Sequence, residues 1–153
     1  MLANPESDDI HGYYFEDLSV EMSASFAKTI TETDIVLFAG ISGDVNPVHL
    51  NQEFASDTMF EGRIAHGMLT ASFISTVLGT KLPEPGCIYL RQDLRFRAPV
   101  RPGDTVHAQI TITEVDTERK RVYGHTICRV GEVSVAEGDA TLFVPKRDKS
   151  KAA

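Results

Sequence analysis

The chain has one long helical segment, and most of the sequence after that segment has the pattern of β-strands. Residues 67–82 combine apolar positions at helical spacing with further apolar residues around the turn, which predicts a helix buried on most sides. Residues 83–86, Pro-Glu-Pro-Gly, end this helix because proline and glycine interrupt regular structure. β-Branched and alternating residues dominate from residue 87 to residue 144. One buried helix with several long antiparallel strands predicts a single α+β domain.

The borders of the elements follow from local signals. The tetrapeptide Thr31-Glu32-Thr33-Asp34 resembles a capping box and predicts the start of a short helix, and residues 51–56 predict another. Between residues 88 and 97, apolar side chains alternate with Tyr89 and arginines, which predicts one continuous strand with two distinct faces. The other expected strands are 20–31, 105–115, 122–130 and 133–144.

A segment rich in glycine and proline holds an acid and a base five residues apart. Gly43 permits unusual backbone angles, and Pro47 moves the preceding residue out of the helical region. We therefore expect a folded-back loop without regular helix or strand, in which Asp44 and His49 face one small volume. Ionisable groups on a rigid loop are a common way to build a catalytic site.

Residues 38–55, FAGISGDVNPVHLNQEFA, resemble the hydratase motif of the MaoC-like (R)-specific enoyl-CoA hydratases. That motif has an aromatic residue, then small-Gly-Asp-x-Asn-Pro-aliphatic-His, and a small residue further on. Phe38, the Ser42–Asp44 and Asn46–His49 runs, and Ala55 occupy these places, and the resemblance covers roughly residues 17–145. It implies a hotdog fold, in which an antiparallel β-sheet wraps around a long central α-helix, and it implies a homodimer.

The resemblance assigns the chemistry to three residues. Hydration of an α,β-unsaturated thioester needs an activated water at Cβ, a proton at Cα and stabilisation of negative charge on the thioester oxygen. His49 is the expected base because its ordinary pKa lies near neutrality, and Asp44 would hold the same water. Gly67, at the expected helix start, would offer its backbone N–H to the thioester oxygen. A tight helix entry is the alternative role of this glycine.

Five further residues are expected to line the substrate site, and each has a structural alternative. Asn46 can bond the loop backbone, and His66 can orient the loop. Ser75 matches a serine that lines the site in the family, but it could equally bond its own helix backbone. Met68 and Leu78 would border the acyl tunnel if that side of the helix faces it, and otherwise belong to the core.

Two more groups of side chains could bind phosphate or a metal ion. A group of arginines could bind the phosphates of coenzyme A or form a solvated strand face; its members are Arg91, Arg95, Arg97 and Arg101. Asp44, His49 and His66 could in principle ligate a metal ion, but their spacing is not diagnostic. Since hydration of an activated alkene needs no metal, we expect neither a metal nor a cofactor.

Composition limits the partners. The net charge of −7 argues against nucleic acid as a partner, and no apolar run reaches the ~20 residues that span a bilayer. Residues 1–11 and the basic tail 146–153 are expected to be disordered around a domain at 12–145. Cys87 and Cys128 lack metal-type spacing and are interpreted as buried free thiols, which indicates the cytoplasm.

The function expected from the motif is reversible syn hydration of trans-2-enoyl-CoA to (R)-3-hydroxyacyl-CoA, which places the chain among the hydro-lyases. The same motif fits a 3-hydroxyacyl-ACP dehydratase, because the pantetheine thioester is shared. A hotdog thioesterase would need water at the carbonyl carbon, which the motif disfavours. A non-catalytic acyl-binding protein would tolerate the loss of Asp44 or His49, and both are present.

Overall fold

The computed structural model describes residues 11–147, which form one six-stranded antiparallel sheet and four α-helices. The strands are β1 Ser23–Thr29, β2 Ile88–Gln92, β3 Arg95–Phe96, β4 Thr105–Asp116, β5 Arg121–Val130 and β6 Val133–Phe143. The helices are α1 Glu32–Ser42, α2 Pro47–Leu50, α3 Gln52–Ser56 and α4 Gly67–Thr80, and a 3-10 turn lies at Phe15–Asp17. The sheet order is β1-β4-β5-β6-β2, and β3 also pairs with β6.

The sheet wraps around α4. This helix contacts β1, β4, β5 and β6, and its inner side chains join those of the sheet in one apolar core. Every second residue of β4 from Val106 to Ile112 is buried, as expected for a strand with one face on the core. The predicted α+β hotdog architecture with a long central helix is confirmed.

Helix α4 differs from the prediction in its end and has one exposed stripe. It stops at Thr80, two residues before the predicted end. The prediction that most of its sides are buried is confirmed, because its buried residues cover more than half of its circumference. One stripe is exposed, and it consists of Met68, Ser72, Ser75 and Gly79. These positions follow 3/4 spacing, so they lie along one side of the helix. The sequence places Ser and Gly on this side, which leaves little apolar surface to bury.

The strand predicted across residues 88–97 is interrupted. It is split into β2 and β3, and the register against β6 shifts between Tyr89 and Arg91. At the break, the backbone of Asp93 passes next to Gly138 of β6. The predicted separation into an apolar and a polar face is therefore wrong, and Ile88, Tyr89 and Leu90 are all exposed.

Local capping accounts for the start of α1. Thr31 accepts a hydrogen bond from the N–H of Asp34, and the Asp34 carboxylate accepts one from the N–H of Thr31, so the predicted capping box is confirmed. The Lys28 ammonium also binds this carboxylate, and Lys28 with the Thr31 bonds lowers the pKa of Asp34 to about 2.

The ends of the described range are held by side-chain contacts. His11 stacks on Tyr14, and the Arg147 guanidinium binds the Asp17 carboxylate at 2.8 Å. The predicted disorder of residues 1–10 and 148–153 lies outside the described residues. Both cysteines are free thiols, as predicted, but only Cys128 is fully buried. Among residues 11–147, no helix is long and apolar enough to cross a bilayer.

Candidate active site

The acid and the base lie on the connection between α1 and α3. Gly43 ends α1 in the left-handed conformation, with φ of +78°, and its N–H binds the Ala39 carbonyl. Asn46 then caps α2 by accepting a hydrogen bond from the N–H of Val48, and Pro47 occupies the first helical position. The predicted absence of regular structure is wrong here, because this cap and proline together form the single helical turn that carries His49.

Asp44 and His49 face each other, as the sequence predicts. The Asp44 Oδ2 and His49 Nε2 atoms are 3.9 Å apart. The His49 Nδ1 atom lies 2.9 Å from the Ile64 carbonyl oxygen, which can only accept, so Nδ1 carries the proton in the neutral ring. The lone pair of His49 is therefore at Nε2, on the side of Asp44. His49 is buried, whereas half of the Asp44 side chain is exposed.

His66 fastens the acid-bearing loop to the start of α4. Its Nε2 atom donates to the backbone carbonyl of Asp44 at 2.9 Å. Its ring lies on the His49 ring with 3.8 Å between centroids, and Phe38 packs on it at 5.0 Å. These contacts join the Asp44 backbone to the start of α4, and Phe38, the aromatic residue of the motif, packs on the same ring. The His66 Nδ1 atom is buried and has no hydrogen-bond partner among the described residues.

Gly67 is the first residue of α4, directly after His66. The His66 side chain does not cap the helix, so the first N–H groups of α4 are not satisfied by it. A Cβ at position 67 would lie 2.9–3.1 Å from three atoms of the Phe96 ring. A side chain here would displace the half-exposed Phe96 ring, so the glycine lets this ring pack close to the start of α4.

A cavity of about 510 Å³ opens beside these residues. Its lining residues are Asp44, Met59, Phe60, Ile64, Ala65, His66, Gly67, Met68, Thr70, Phe96, Arg97, Ala98, Pro99, Val100 and Val135. The volume is in the range of small-molecule sites, and the wall is largely apolar. The structure thus brings Asp44, His66, Gly67 and Met68 together around one space, next to His49.

Two residues expected at the site lie elsewhere in the described chain. Ser75 is on the exposed stripe of α4, and Leu78 is fully buried in the core; neither lines the cavity. Asn46 is close to the site but acts as a helix cap. Thr70, which lines the cavity and is buried, was missed. A polar residue four positions after His66 in an apolar helix was the available signal.

Asp44, His49 and His66 could also hold a metal ion. One ligand atom of each lies within 4.8 Å of the others. Each imidazole already bonds a backbone carbonyl through one nitrogen, so each ring has one nitrogen left for a ligand. The donor set suits a transition metal, and it equally suits water or a hydroxyl group.

Most of the predicted arginine group is engaged within the chain. Arg91 pairs with Asp93 at 2.9 Å, and Arg97 pairs with Glu137 at 2.6 Å. The Arg97 guanidinium lowers the pKa of Glu137. Arg101 donates to the Phe60 carbonyl. Of the two interpretations of this group, these contacts favour a strand face over a preformed phosphate site.

A hotdog sheet around a central helix, with an aspartate and a histidine at the N-terminus of that helix, defines a hydratase or dehydratase of acyl thioesters. The family model described as "MaoC like domain" matches residues 18–135, and the chain belongs to this family.

The similar proteins are named for the same chemistry. An (R)-specific enoyl-CoA hydratase of Rhodospirillum rubrum is 55% identical over 92% of this chain and 98% of its own. A 3-hydroxybutyryl-CoA dehydratase of Methylorubrum extorquens is 47% identical over 90% of this chain and 87% of its own. The solved structure of an R-hydratase from Pseudomonas aeruginosa superposes with a TM-score of 0.84 at 38% identity, covering 90% of this chain and 89% of that one.

Proposed function

We propose that the protein is an (R)-specific enoyl-CoA hydratase, a hydro-lyase that adds water reversibly to trans-2-enoyl-CoA. The observation that carries the proposal is the pairing of Asp44 Oδ2 with the unprotonated Nε2 of His49, 3.9 Å apart beside the first turn of α4. The membership of the MaoC-like family and the names of the two relatives agree with this chemistry.

The distance between the two side chains suits one shared water. Separated by 3.9 Å, the two atoms are too far apart for a direct hydrogen bond, but an oxygen at ~2.8 Å from each fits between them. The ionised Asp44 accepts one proton of this water, while His49 Nε2 accepts the other. The bond from His49 Nδ1 to the Ile64 carbonyl keeps the ring in the tautomer that can act as a base.

The reaction follows from this arrangement. As His49 Nε2 takes a proton, the water oxygen forms a bond to Cβ, and the alkene electrons move onto the thioester oxygen as an enolate. The backbone N–H of Gly67, at the positive end of the α4 dipole, stabilises that charge. The proton now on His49 Nε2 is then delivered to Cα, directly or through the Asp44 carboxylate, which restores the pair, and because it comes from the same side as the water the addition is syn.

The remaining site residues contribute to binding in this proposal. Asn46 fixes the turn that presents His49, and His66 fixes the Asp44 backbone. Met68 borders the cavity and contacts the acyl part of the substrate. Ser75 binds substrate only if a second copy of the chain extends the site along the exposed stripe of α4, since it does not line the cavity of the described chain. Leu78 packs in the core.

A homodimer is part of the proposal. Strand β2 is at an edge of the sheet and carries exposed Ile88, Tyr89 and Leu90, which a single chain leaves in water. Apolar edge strands are usually covered by another chain or element.

The free thiols of Cys87 and Cys128 support the cytoplasm as the place of action.

Purified protein and crotonyl-CoA test the proposal directly. The ultraviolet absorbance of the enoyl thioester should fall without release of free thiol, and chiral analysis should give the (R)-3-hydroxy product. Release of thiol would instead identify a thioesterase. CoA and acyl carrier protein present the same pantetheine thioester, so the residues of the site do not distinguish them. A comparison of kcat/KM on matched CoA and acyl-carrier-protein thioesters identifies the carrier.

A further inference from the structure

Two buried polar atoms at the cavity have no hydrogen-bond partner among residues 11–147. They are Oγ1 of Thr70, a residue 2% exposed, and Nδ1 of His66, a residue 1% exposed. Both residues line the cavity, and their positions, four residues apart at the start of α4, place them on the same side of the helix. Buried polar groups are almost always hydrogen-bonded, so two of them at one cavity indicate a ligand.

The contacts of each residue define what that ligand must offer. His66 Nε2 donates to the Asp44 carbonyl, so in the neutral ring Nδ1 can only accept. The Thr70 hydroxyl can donate, and no acceptor for it lies among the described residues. A hydroxyl oxygen can give its proton to Nδ1 and accept the proton of Thr70. A carbonyl or ether oxygen would leave Nδ1 unsatisfied.

We propose that His66 and Thr70 form a polar subsite that binds a hydroxyl oxygen at the wall of the cavity. Either a hydroxylated acyl chain or a retained water supplies this oxygen, and the first source rests on the proposed hydratase function. If the oxygen belongs to the substrate, Thr70 selects hydroxylated acyl chains. If it belongs to a retained water, that water occupies part of the apolar cavity, and Thr70 thereby limits the length of the acyl chain that fits.

The variants Thr70→Val and Thr70→Ser separate the hydroxyl from the shape of the side chain. The probe substrates are hex-2-enoyl-CoA and its analogue with a hydroxyl on the terminal carbon. For a substrate hydroxyl, Thr70→Val lowers the ratio of kcat/KM for the hydroxylated over the plain substrate by about tenfold, the effect of losing roughly one buried hydrogen bond. Thr70→Ser restores the ratio because it restores the donor.

Retained water gives a different result. A crystal structure of the unaltered protein then shows an oxygen in hydrogen-bond contact with both His66 Nδ1 and Thr70 Oγ1, and that oxygen is missing in Thr70→Val. In this case the unaltered protein prefers hex-2-enoyl-CoA over its hydroxylated analogue. The kcat/KM for substrates with longer acyl chains rises in Thr70→Val. This crystallographic readout does not depend on turnover, so it remains decisive if no enoyl-CoA is a substrate and the proposed function fails.

Two threonines elsewhere provide matched controls. Thr126 is also buried, but its hydroxyl donates to the Gly138 carbonyl and accepts from the Gln92 side chain, both at 2.9 Å. Thr126→Val should therefore lower the melting temperature further than Thr70→Val, because Thr126 loses two bonds within the chain whereas Thr70 has no protein partner to lose among the described residues. Thr76→Val, on α4 but away from the cavity lining, should leave kcat/KM unchanged.

Two results together would overturn the proposal. The first is a crystal structure with no oxygen bound between His66 and Thr70. The second is a ratio of kcat/KM for the hydroxylated over the plain substrate that stays, in Thr70→Val, within twofold of the unaltered protein. A melting temperature that falls as far in Thr70→Val as in Thr126→Val also contradicts it, because the Thr70 hydroxyl would then have a structural partner within the chain.

Discussion

Replacing Gly138 by alanine should destabilise the fold strongly and disturb the cavity. A Cβ at position 138 would lie 1.9 Å from the Asp93 carbonyl oxygen and 2.7 Å from its carbon, and both are backbone atoms that cannot rotate away. Relief of the overlap requires the backbone between β2 and β3 to move by about 1 Å, at an overpacking cost of ~1–3 kcal/mol. The hydrogen bond from the Asp93 N–H to the Asp139 carbonyl, 2.9 Å long, lies at this place and is worth ~1 kcal/mol.

The expected loss in the free energy of unfolding is therefore ~2–4 kcal/mol, measured by urea unfolding followed by circular dichroism. Because β3 ends at Phe96, which lines the cavity, kcat/KM on crotonyl-CoA should fall as well. Gly40→Ala is the matched control: Gly40 lies in the exposed part of α1 with no atom within 4 Å of the added Cβ, so stability should rise by ~0.5–1 kcal/mol. A Gly138→Ala protein as stable as the original would refute the close-approach argument.

Three further predictions concern stability and thiol reactivity. The pKa of Asp34 is lowered from 3.8 to about 2, first by Lys28, so its contribution is complete above pH ~4 and is lost as the pH falls towards 2. Urea unfolding of Asp34→Asn should show a deficit of ~1 kcal/mol at pH 7, reduced from the full linkage value because the pair is partly solvated, and only a small remainder of it at pH 2. Leu78→Ala should cost ~2–5 kcal/mol in urea unfolding without changing the preference for acyl chain length, and a changed preference would return Leu78 to the substrate site. Burial raises the pKa of Cys128 to about 12, so iodoacetamide at pH 8 should modify it only after denaturation, and rapid labelling of the native protein would contradict that burial.

The parts of the fold that local chemistry determines could be predicted from the sequence. The capping box of Thr31 and Asp34 and the helix start at Gly67 depend on residues within a few positions of one another, and the structure contains both. The pairing of Asp44 with His49 is also local, because Gly43 and the Asn46-Pro47 cap turn the chain within six residues.

The features that were missed depend on contacts between distant segments. The break between β2 and β3 lies where Asp93 meets Gly138, a contact across 45 positions that no alternation pattern reveals. The exposed stripe of α4 could not be deduced either, since the pattern of apolar residues does not say which side the sheet covers. Thr70 became a candidate only when its hydroxyl was seen to be buried without a partner in the described chain.

The central claim is that Asp44 and His49 act together on one water, and steady-state kinetics of the variants Asp44→Asn and His49→Ala on crotonyl-CoA test it most directly. Each variant should lower kcat by ~10²–10⁴-fold with the fold intact by circular dichroism, and the double variant should lose little more than either one, because both serve one step. His107→Ala, an exposed histidine on β4, should retain full activity. A decrease of only a few-fold in either folded variant, or fully multiplicative losses in the double variant, would contradict the account.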